Sequence, residues 1–332
     1  MPLNVTPHDV IRWLRRWIGG AKRAMPIQGD YRMKWYFATN EAGSEGVAGL
    51  HARLMVLSAL QNTRLRPHLI TTGFRNDFTT WMEARGVTII DAIQPLSDAI
   101  HQAAETGGYD TKYLGHWLRC EIPLIESEDN FVLYTDSDVI FLDGFKVPNV
   151  APEYFAAAPE FRIDDRSYVN TGVMIINVHN MRKISSEFFQ FARHEISNLK
   201  GEVYHDQFAY NRYFAGRWTP LDPSYNWKPY WGDPSTANIL HFHGAKLNAI
   251  SMLYEQELPF HEVYWQQIGS LVASFPEGYL QGVEATLQSA DGAELSERSW
   301  IEGIVRHLRS GPPRIPAGII NIDFLKFQPF GT

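Results

Sequence analysis

Two aspartates separated by one serine, Asp136 and Asp138, interrupt the apolar, β-branched and aromatic run over residues 130–142. Such a run is typical of a buried strand. Carboxylates are rarely placed in apolar surroundings unless a positive charge compensates them. Side chains two residues apart in an extended segment point the same way, so both carboxylates can face one cation. The run therefore predicts a strand end that opens onto a metal site, and the alternative is a pair of turn-forming acids.

The composition is that of a folded protein that does not bind nucleic acid. The chain has 332 residues, of which 45% are hydrophobic and 20% are charged. This length is sufficient for a large core, and we expect one α/β domain with a tail, with two closely packed halves as the alternative. The net charge of -7 argues against nucleic acid as a partner, because binding to phosphates requires a basic face.

The cysteine content and the hydropathy pattern predict a cytoplasmic protein. The single cysteine, Cys120, permits neither an internal disulfide nor a zinc site built from cysteines. No apolar run reaches the ~18 residues of a membrane span, and the N-terminus lacks the apolar core of a signal peptide.

The N-terminal segment predicts a basic amphipathic helix over residues 9–24. Residues 1–25 contain five basic side chains and one acidic side chain. The presence of Trp17 among arginines suits peripheral contact with the inner face of a membrane. The other interpretation is that the helix docks on the acidic body of the protein.

Strands and helices alternate in the first half of the chain, and this order predicts a doubly wound parallel sheet. Strands are expected over residues 34–40, 67–73 and 87–91. A helix with a stripe of leucines at positions 50, 54, 57 and 60 follows the first strand, and helices are also expected over residues 77–85 and 113–125.

The second half is less regular, and it divides the chain into three predicted parts. Further strands are expected over residues 155–159, 168–178 and 238–244, and helices over residues 181–199 and 205–214. Residues 250–308 are mostly helical in pattern, and residues 315–330 are expected to pack back on the body. The predicted parts are an N-terminal helix (1–30), a catalytic domain (31–250) and a helical C-terminal extension (251–332).

Five segments resemble the GT-A glycosyltransferases that depend on a metal, and in particular the retaining family 8 group of glycogenin-like and bacterial lipopolysaccharide galactosyl- and glucosyltransferases. The resemblance spans about residues 33–250, and the order and spacing of the segments are more specific than any one of them. The matching segments are Tyr113 to Pro123, Phe131 to Phe141, Asn170-Thr171-Gly172-Val173-Met174-Ile175-Ile176-Asn177, Asp206-Gln207, and His241-Phe242-His243-Gly244-Ala245-Lys246.

The resemblance implies a GT-A fold, which is a Rossmann-like, doubly wound mixed sheet, and a nucleotide-sugar donor. It implies that His241 completes a metal site with Asp136 and Asp138, and this mixture of oxygen and imidazole ligands favours Mn²⁺ over Mg²⁺. His243 is the alternative ligand, since it lies two residues from His241 on the same face. Gly244 would let the backbone approach the phosphates, and Lys246 would add a cation beside the leaving group.

The resemblance also assigns residues to the donor and to the acceptor. Arg119 is expected near the donor sugar and the metal, and Asp206 and Gln207 are expected near the anomeric carbon and the acceptor hydroxyl. The remaining expected contacts are Ala38, Thr39 and Asn40 for the nucleobase, and Asn170 and Gly172 for the sugar.

The predicted function is the transfer of a hexose from UDP-galactose or UDP-glucose to a saccharide, glycolipid, protein or other hydroxyl acceptor, with retention of the anomeric configuration. The leaving diphosphate would take the acceptor proton on the front face, and Asp206 as a covalent nucleophile is the alternative route. Two other classes stay open from the residues alone. One is a haloacid-dehalogenase-like phosphatase, with Asp164 and Asp165 as its later acid pair, and the other is a carbohydrate-binding protein without catalysis.

Overall fold

The computed structural model of the chain describes residues 32–106, 109–198, 206–244, 246–255, 257, 276–289, 292 and 295–312. The predicted N-terminal helix and the predicted packing of residues 315–330 lie outside the described residues. Both stay predictions, as does the division into three parts.

A seven-stranded mixed sheet forms the centre of the described part of the chain. Its strands have the order β3-β2-β1-β4-β7-β6-β8. The pairs β3-β2, β2-β1 and β1-β4 are parallel, β4-β7 and β7-β6 are antiparallel, and β6-β8 is parallel. These strands are β1 (Lys34–Thr39), β2 (Arg66–Thr71), β3 (Thr88–Asp91), β4 (Phe131–Thr135), β6 (Phe155–Pro159), β7 (Val169–Asn177) and β8 (Thr219–Pro220). The sheet confirms the predicted mixed α/β class, with its parallel strands in the first half of the chain.

The apolar run around Asp136 and Asp138 forms two strands instead of one. The first strand, β4, ends at Thr135, and the second is β5 (Val139–Phe141). The strand β5 pairs with β9 (Ile239–His241) in a separate two-stranded sheet. The backbone N–H of Asp136 donates to the carbonyl of Gly172 at 2.7 Å, while the carbonyl of Asp138 accepts from Phe242 at 2.9 Å. The chain crosses from one sheet to the other at these residues, so the prediction of a single strand was wrong at its polar centre.

The helices cover the sheet and account for much of the remaining sequence. Their bounds in chain order are α1 (Gly46–Asn62), α2 (Asp77–Glu83), α3 (Ser97–Glu105), α4 (Leu114–Trp117), α5 (Ile122–Ile125), α6 (Val178–Asn198), α7 (Asp206–Tyr213), α8 (Leu247–Glu255), α9 (Pro276–Gln288) and α10 (Arg298–Arg309). The three last helices confirm the predicted helical character of the C-terminal region. None of the helices in the described part is both long enough and apolar enough to cross a membrane.

The predicted helix over residues 113–125 is instead a series of short turns. The helix α4 passes into a 3-10 turn, Leu118–Glu121, before α5 begins. Pro123 lies in the first turn of α5, where a missing N–H leaves no helix hydrogen bond broken. The series allows Arg119, which is only 5% exposed, to point inward, where its Nη1 donates to the carbonyl of Thr171 in β7.

The C-terminal helices form a core with α1 and the two-stranded sheet. The leucines at 50, 54 and 57 of the predicted stripe are buried, whereas Leu60 is 42% exposed and falls off the buried face. Gly282 of α9 packs closely on β5, because an ideal Cβ there would lie 3.3 Å from Cγ2 of Ile140. Burial of this apolar surface at roughly 25 cal/mol per Å² fixes the small sheet against the helices.

Candidate active site

Three ligand groups converge where the two sheets meet. Asp136 follows β4, Asp138 precedes β5, and His241 ends β9. One ligand atom from each side chain lies within 4.8 Å of the others, and Nε2 of His241 lies 3.2 Å from Oδ1 of Asp138. Two carboxylates and an imidazole form a donor set that suits a divalent cation.

Gly172 of β7 leaves the space that this group of ligands requires. An ideal Cβ at this position would lie 2.4 Å from Cε1 of His241 and 2.9 Å from Oδ2 of Asp136. Both distances are shorter than van der Waals contact, so any side chain would displace two of the three ligand groups. The residues present therefore fit a bound cation in their chemistry and in their spacing.

The His241 imidazole is buried and uncharged. Burial lowers the pKa of His241 to about 4, although the carboxylate of Asp136 opposes this shift. Its Nδ1 lies 2.8 Å from Oδ1 of Asn226, and Asn226 is completely buried. A neutral imidazole has a lone pair on one nitrogen, which is the form that binds metals.

The loop after β9 brings a lysine to the same site. The Nζ atom of Lys246 contacts a carboxylate oxygen of Asp138. Burial lowers the pKa of Lys246 to about 8, and the carboxylate of Asp136 acts in the opposite direction. The loop is held by a hydrogen bond of 3.2 Å from the backbone N–H of Leu247 to Nε2 of His51. Gly244 has a φ of 77°, which favours glycine.

Arg119 connects the metal-ligand group, which is Asp136, Asp138 and His241, to the start of α7. Its Nη2 lies 2.8 Å from Oδ1 of Asp136, and its Nε lies 2.7 Å from Oδ2 of Asp206. The guanidinium also lies over the ring of Tyr134, with 4.6 Å from Cζ to the ring centroid. The hydroxyl of Tyr134 donates to Asp136 at 3.0 Å. One cation thus compensates two carboxylates that are withdrawn from water.

Asp206 has an unusual protonation equilibrium. Burial raises the pKa of Asp206 to about 6; the Arg119 charge opposes the rise, and the Asp136 carboxylate adds to it. The same arginine has the opposite net result at Asp136, whose pKa is lowered in spite of its burial. The pKa values of the two carboxyl groups are therefore shifted in opposite directions, and such shifts cluster at functional sites.

A hydrogen-bonded network continues from the metal-ligand group along β7. Asn170 donates from Nδ2 to Oε2 of Glu160 at 2.6 Å and to Oε1 of Gln207 at 3.2 Å. The backbone N–H of Thr171 donates to Oε1 of Gln207 at 3.0 Å. Asn226 donates from Nδ2 to Oδ1 of Asn170 at 2.8 Å.

A cavity of about 560 Å³ contains most of the predicted site residues. Those that line it are Ala38, Arg119, Asp136, Asp138, Asn170, Asp206, Gln207, His241, Gly244 and Lys246. The structure does not bring Thr39 or Asn40 to the wall of this cavity. Thr39 is buried on the other face of β1, and Oδ1 of Asn40 accepts from the backbone N–H of Gly43 at 3.0 Å.

His243, the alternative ligand, is held apart from the two aspartates. Its Nε2 lies 2.9 Å from Oε1 of Glu160, and its Nδ1 lies 2.8 Å from the hydroxyl of Tyr230. Within the described residues, the group with metal-ligand spacing contains His241 and not His243.

Several residues of the site were missed by the sequence analysis. Glu160 lines the cavity and directly follows the buried strand β6. An acid at the end of an apolar strand is the same signal that indicates Asp136, so Glu160 could have been found. Asn226 and His51 gave no comparable signal, because the residues that they contact, His241 and Leu247, lie far from them in sequence.

The acid pair of the phosphatase interpretation lies outside the cavity. Asp164 pairs with Arg162 in an exposed ion pair at 3.2 Å, and Asp165 accepts from the hydroxyl of Ser167 at 2.7 Å. Neither acid lines the cavity that contains Asp136 and Asp138.

Comparison with known proteins gives one family match, which covers part of the chain. Residues 152–246 match the family model described as glycosyl transferase family 8. A search of curated proteins finds no significant match.

Similar solved structures include three glycosyltransferases. The bifunctional glycosyltransferase WbbM is 12% identical with a TM-score of 0.50, and the match covers 85% of this chain and 53% of WbbM. GlyE of Streptococcus pneumoniae is 17% identical with a TM-score of 0.47, and the match covers 64% of this chain and 55% of GlyE. The galactosyltransferase LgtC, in complex with donor and acceptor sugar analogues, is 18% identical with a TM-score of 0.44, and the match covers 63% of this chain and 86% of LgtC.

The chain therefore spans about half the length of GlyE and of WbbM. At this identity the likeness to WbbM shows the fold alone, and the family model matches the chain over residues 152–246. Both agree with the resemblance found in the motifs. The chain therefore has the predicted GT-A fold, and its residues 152–246 match the model of glycosyl transferase family 8.

Proposed function

We propose that the protein is a glycosyltransferase that moves a hexose, galactose or glucose, from its UDP conjugate to a hydroxyl group of a saccharide or other acceptor, that it requires a divalent cation, and that it retains the anomeric configuration. The observation that carries the proposal is the convergence of Asp136, Asp138 and His241 at one cavity with Lys246. A nucleotide diphosphate needs both a cation and a positive side chain, because negative charge accumulates on it as the sugar leaves.

The cation would be held by Asp136, Asp138 and His241, with Mn²⁺ favoured and Mg²⁺ as the alternative. When bound, it supplies positive charge that stabilises the diphosphate leaving group. Lys246 adds a second positive charge, and its contact with Asp138 holds its ammonium group at the ligand side of the cavity. Gly244, with no side chain, lets the backbone approach the phosphates.

The nucleobase would lie at the end of β1, where Ala38 lines the cavity. Thr39 and Asn40 do not line the cavity, but they follow Ala38 directly and support the end of β1. The hydrogen bond from the backbone N–H of Gly43 to Oδ1 of Asn40 fixes the turn that follows β1. Their role is to shape the turn next to the base.

The sugar would lie between the metal-ligand group and α7. Arg119 and Asn170 line this part of the cavity together with Asp206 and Gln207. Gly172 contributes by leaving room for His241 and Asp136. Because Oε1 of Gln207 accepts from Thr171 and from Asn170, the side chain of Gln207 is oriented before any sugar binds.

Retention is supported by the surroundings of Asp206. An inverting enzyme needs a general base that is free to take the acceptor proton in line with the departing group. The Asp206 carboxylate lies 2.7 Å from Nε of Arg119, and this ion pair favours a role in stabilising the positive charge that develops on the sugar. The leaving diphosphate would then accept the acceptor proton. A covalent intermediate on Asp206 is the second route that the same geometry allows.

The direct test is a survey of nucleotide sugars by thermal shift, followed by assay of nucleotide release with and without Mn²⁺. A ligand at 100 times its Kd adds ~2.7 kcal/mol of stability, so a UDP-hexose should raise the melting temperature and GDP- and CMP-sugars should not. Slow release of UDP that depends on Mn²⁺ would support the function. Stabilisation by a GDP- or CMP-sugar alone would show that the donor is wrong.

The stereochemical part of the proposal is tested separately. Proton NMR of the first product formed from an α-linked donor should show an α-linkage. A β-linkage would contradict retention and would leave the metal site and the donor unaffected. Cleavage of phosphomonoesters without UDP release would instead favour the phosphatase class.

A further inference from the structure

The residue that fixes His241 for metal binding is one that the sequence motifs do not contain. Asn226 precedes Trp227, whose backbone joins β9 through hydrogen bonds from its N–H to the carbonyl of Ile239 at 3.0 Å and from the N–H of His241 to its carbonyl at 2.9 Å. These bonds hold the amide of Asn226 against the imidazole of His241.

The orientation of each amide in this network follows from one backbone group. The N–H of Gly172 can only donate, and it lies 2.9 Å from one side-chain atom of Asn170, which must therefore be the oxygen. The atom of Asn226 that lies 2.8 Å from this same oxygen must be its NH2 group. The carbonyl oxygen of Asn226 consequently faces Nδ1 of His241 at 2.8 Å.

The tautomer of His241 is determined by this sequence of bonds. An amide oxygen can only accept, so Nδ1 of His241 must donate and must bear the hydrogen. The lone pair of the neutral ring is then on Nε2, which faces Oδ1 of Asp138 at 3.2 Å. Two acceptors facing each other repel, and a cation between them would convert this repulsion into attraction.

We infer that Asn226 is a positioning residue that holds His241 in the tautomer required for metal binding, and that the backbone N–H of Gly172 sets this tautomer through Asn170. The inference rests on the proposed metal dependence. Without Asn226 the ring would gain by moving its hydrogen to Nε2, because the carboxylate of Asp138 would accept it. The nitrogen would then be blocked as a ligand.

The tautomer can be measured without metal or substrate. Long-range proton–nitrogen NMR of protein labelled with ¹⁵N-histidine, at pH 8, should show His241 with a hydrogen on Nδ1 and none on Nε2, and His241→Gln identifies the signals. Asn226→Ala should move the hydrogen to Nε2. Asn226→Asp keeps an acceptor for Nδ1 and should retain the wild-type tautomer. A wild-type hydrogen on Nε2, or unchanged signals in Asn226→Ala, would overturn the inference.

Metal affinity provides the second measurement, since outer partners of metal-binding histidines typically contribute 10–100-fold. Titration of the apo protein with Mn²⁺, followed by electron paramagnetic resonance, should give a Kd about 10–100-fold weaker in Asn226→Ala. Asn177→Ala is the matched control, because Asn177 also holds two hydrogen bonds but at the far end of β7. Its Kd should stay within about twofold of the wild type. Equal Kd values in wild type and Asn226→Ala would overturn the role in metal binding.

These experiments separate the inference from the proposed function. If the tautomer and the Mn²⁺ affinity change as expected but no UDP-sugar is used, Asn226 keeps its role and only the donor is wrong. If Asn226→Ala does not fold, as judged by its thermal transition, the wild-type tautomer and Asn226→Asp still decide the question.

Discussion

The Nε atom of Arg119 lies 2.7 Å from Oδ2 of Asp206 in an ion pair whose side chains are 7% and 2% exposed. Each charge is almost removed from water, so each depends on the other for compensation. Asp136, at 2.8 Å from Nη2 of the same arginine, shares this compensation.

Arg119→Met should therefore lower the free energy of unfolding by about 3–5 kcal/mol, since it leaves the buried Asp206 and the partly buried Asp136 without their cation. Chemical denaturation measures the loss. The double variant Arg119→Met, Asp206→Asn should recover part of it, because one uncompensated charge is removed. Arg162→Met removes an exposed ion pair and should change stability by less than about 0.5 kcal/mol. Equal losses of unfolding free energy in Arg119→Met and Arg162→Met would show that burial of the ion pair does not determine its contribution to stability.

Gly172→Ala should reduce the affinity for Mn²⁺, because the new Cβ would displace His241 and Asp136. We expect a loss of at least tenfold in affinity, together with about 1–3 kcal/mol of stability from overpacking. Gly303→Ala in α10 is the control, since the nearest atom to its Cβ is Nη2 of Arg306 at 3.7 Å. That variant should be neutral or slightly stabilising. Unchanged Mn²⁺ affinity in Gly172→Ala would place the cation elsewhere.

Asp138→Asn should abolish Mn²⁺-dependent release of UDP while the protein remains folded. The change removes one negative charge and keeps the shape of a side chain that Lys246 and His241 contact. We expect activity to fall by at least about 100-fold, with little change in the melting temperature of the apo protein. Asp164→Asn, at the exposed pair with Arg162, should keep full activity. Normal turnover by Asp138→Asn would refute the metal site.

Lys228 should make stability depend on pH in alkaline solution. Burial lowers the pKa of Lys228 to about 7, with Glu160 opposing the shift, whereas the unfolded chain keeps the proton up to about 10.5. Between pH 7 and pH 10.5 the unfolded state therefore binds more protons than the folded state, so the free energy of unfolding increases as the pH rises. From pH 7 to pH 10.5, the free energy of unfolding of the wild type should increase by roughly 3–5 kcal/mol relative to that of Lys228→Met.

Denaturation of the two proteins across this range of pH is the measurement. Lys146→Met, at an exposed position, should run parallel to the wild type. A difference between wild type and Lys228→Met that is constant with pH would show that Lys228 stays charged when buried.

The sequence predicted the strands at the centre of the fold because their residues are buried on both faces and leave a continuous apolar run. It also predicted that Asp136 and Asp138 lie together, since they are acids where an apolar run makes acids costly, whereas His241 was expected from the resemblance. The series of turns around Arg119 could not be predicted, because the guanidinium is held by ion pairs with Asp136 and Asp206, which are distant in the chain. Asn226 was missed for the same reason, since its hydrogen-bond partners lie 56 and 15 positions away.

The crossing of the chain between two sheets gives the C-terminal helices an influence on the ligand group. Asp136 follows a strand of the large sheet, whereas Asp138 precedes β5 and His241 ends β9 in the small one. The small sheet rests on α9, where Gly282 lies against Ile140. A larger residue at position 282 would tilt the small sheet and change the separation of the ligand atoms without touching the cavity. We therefore expect a substitution at position 282 to change the preference of the proposed cation site among ions of different radius.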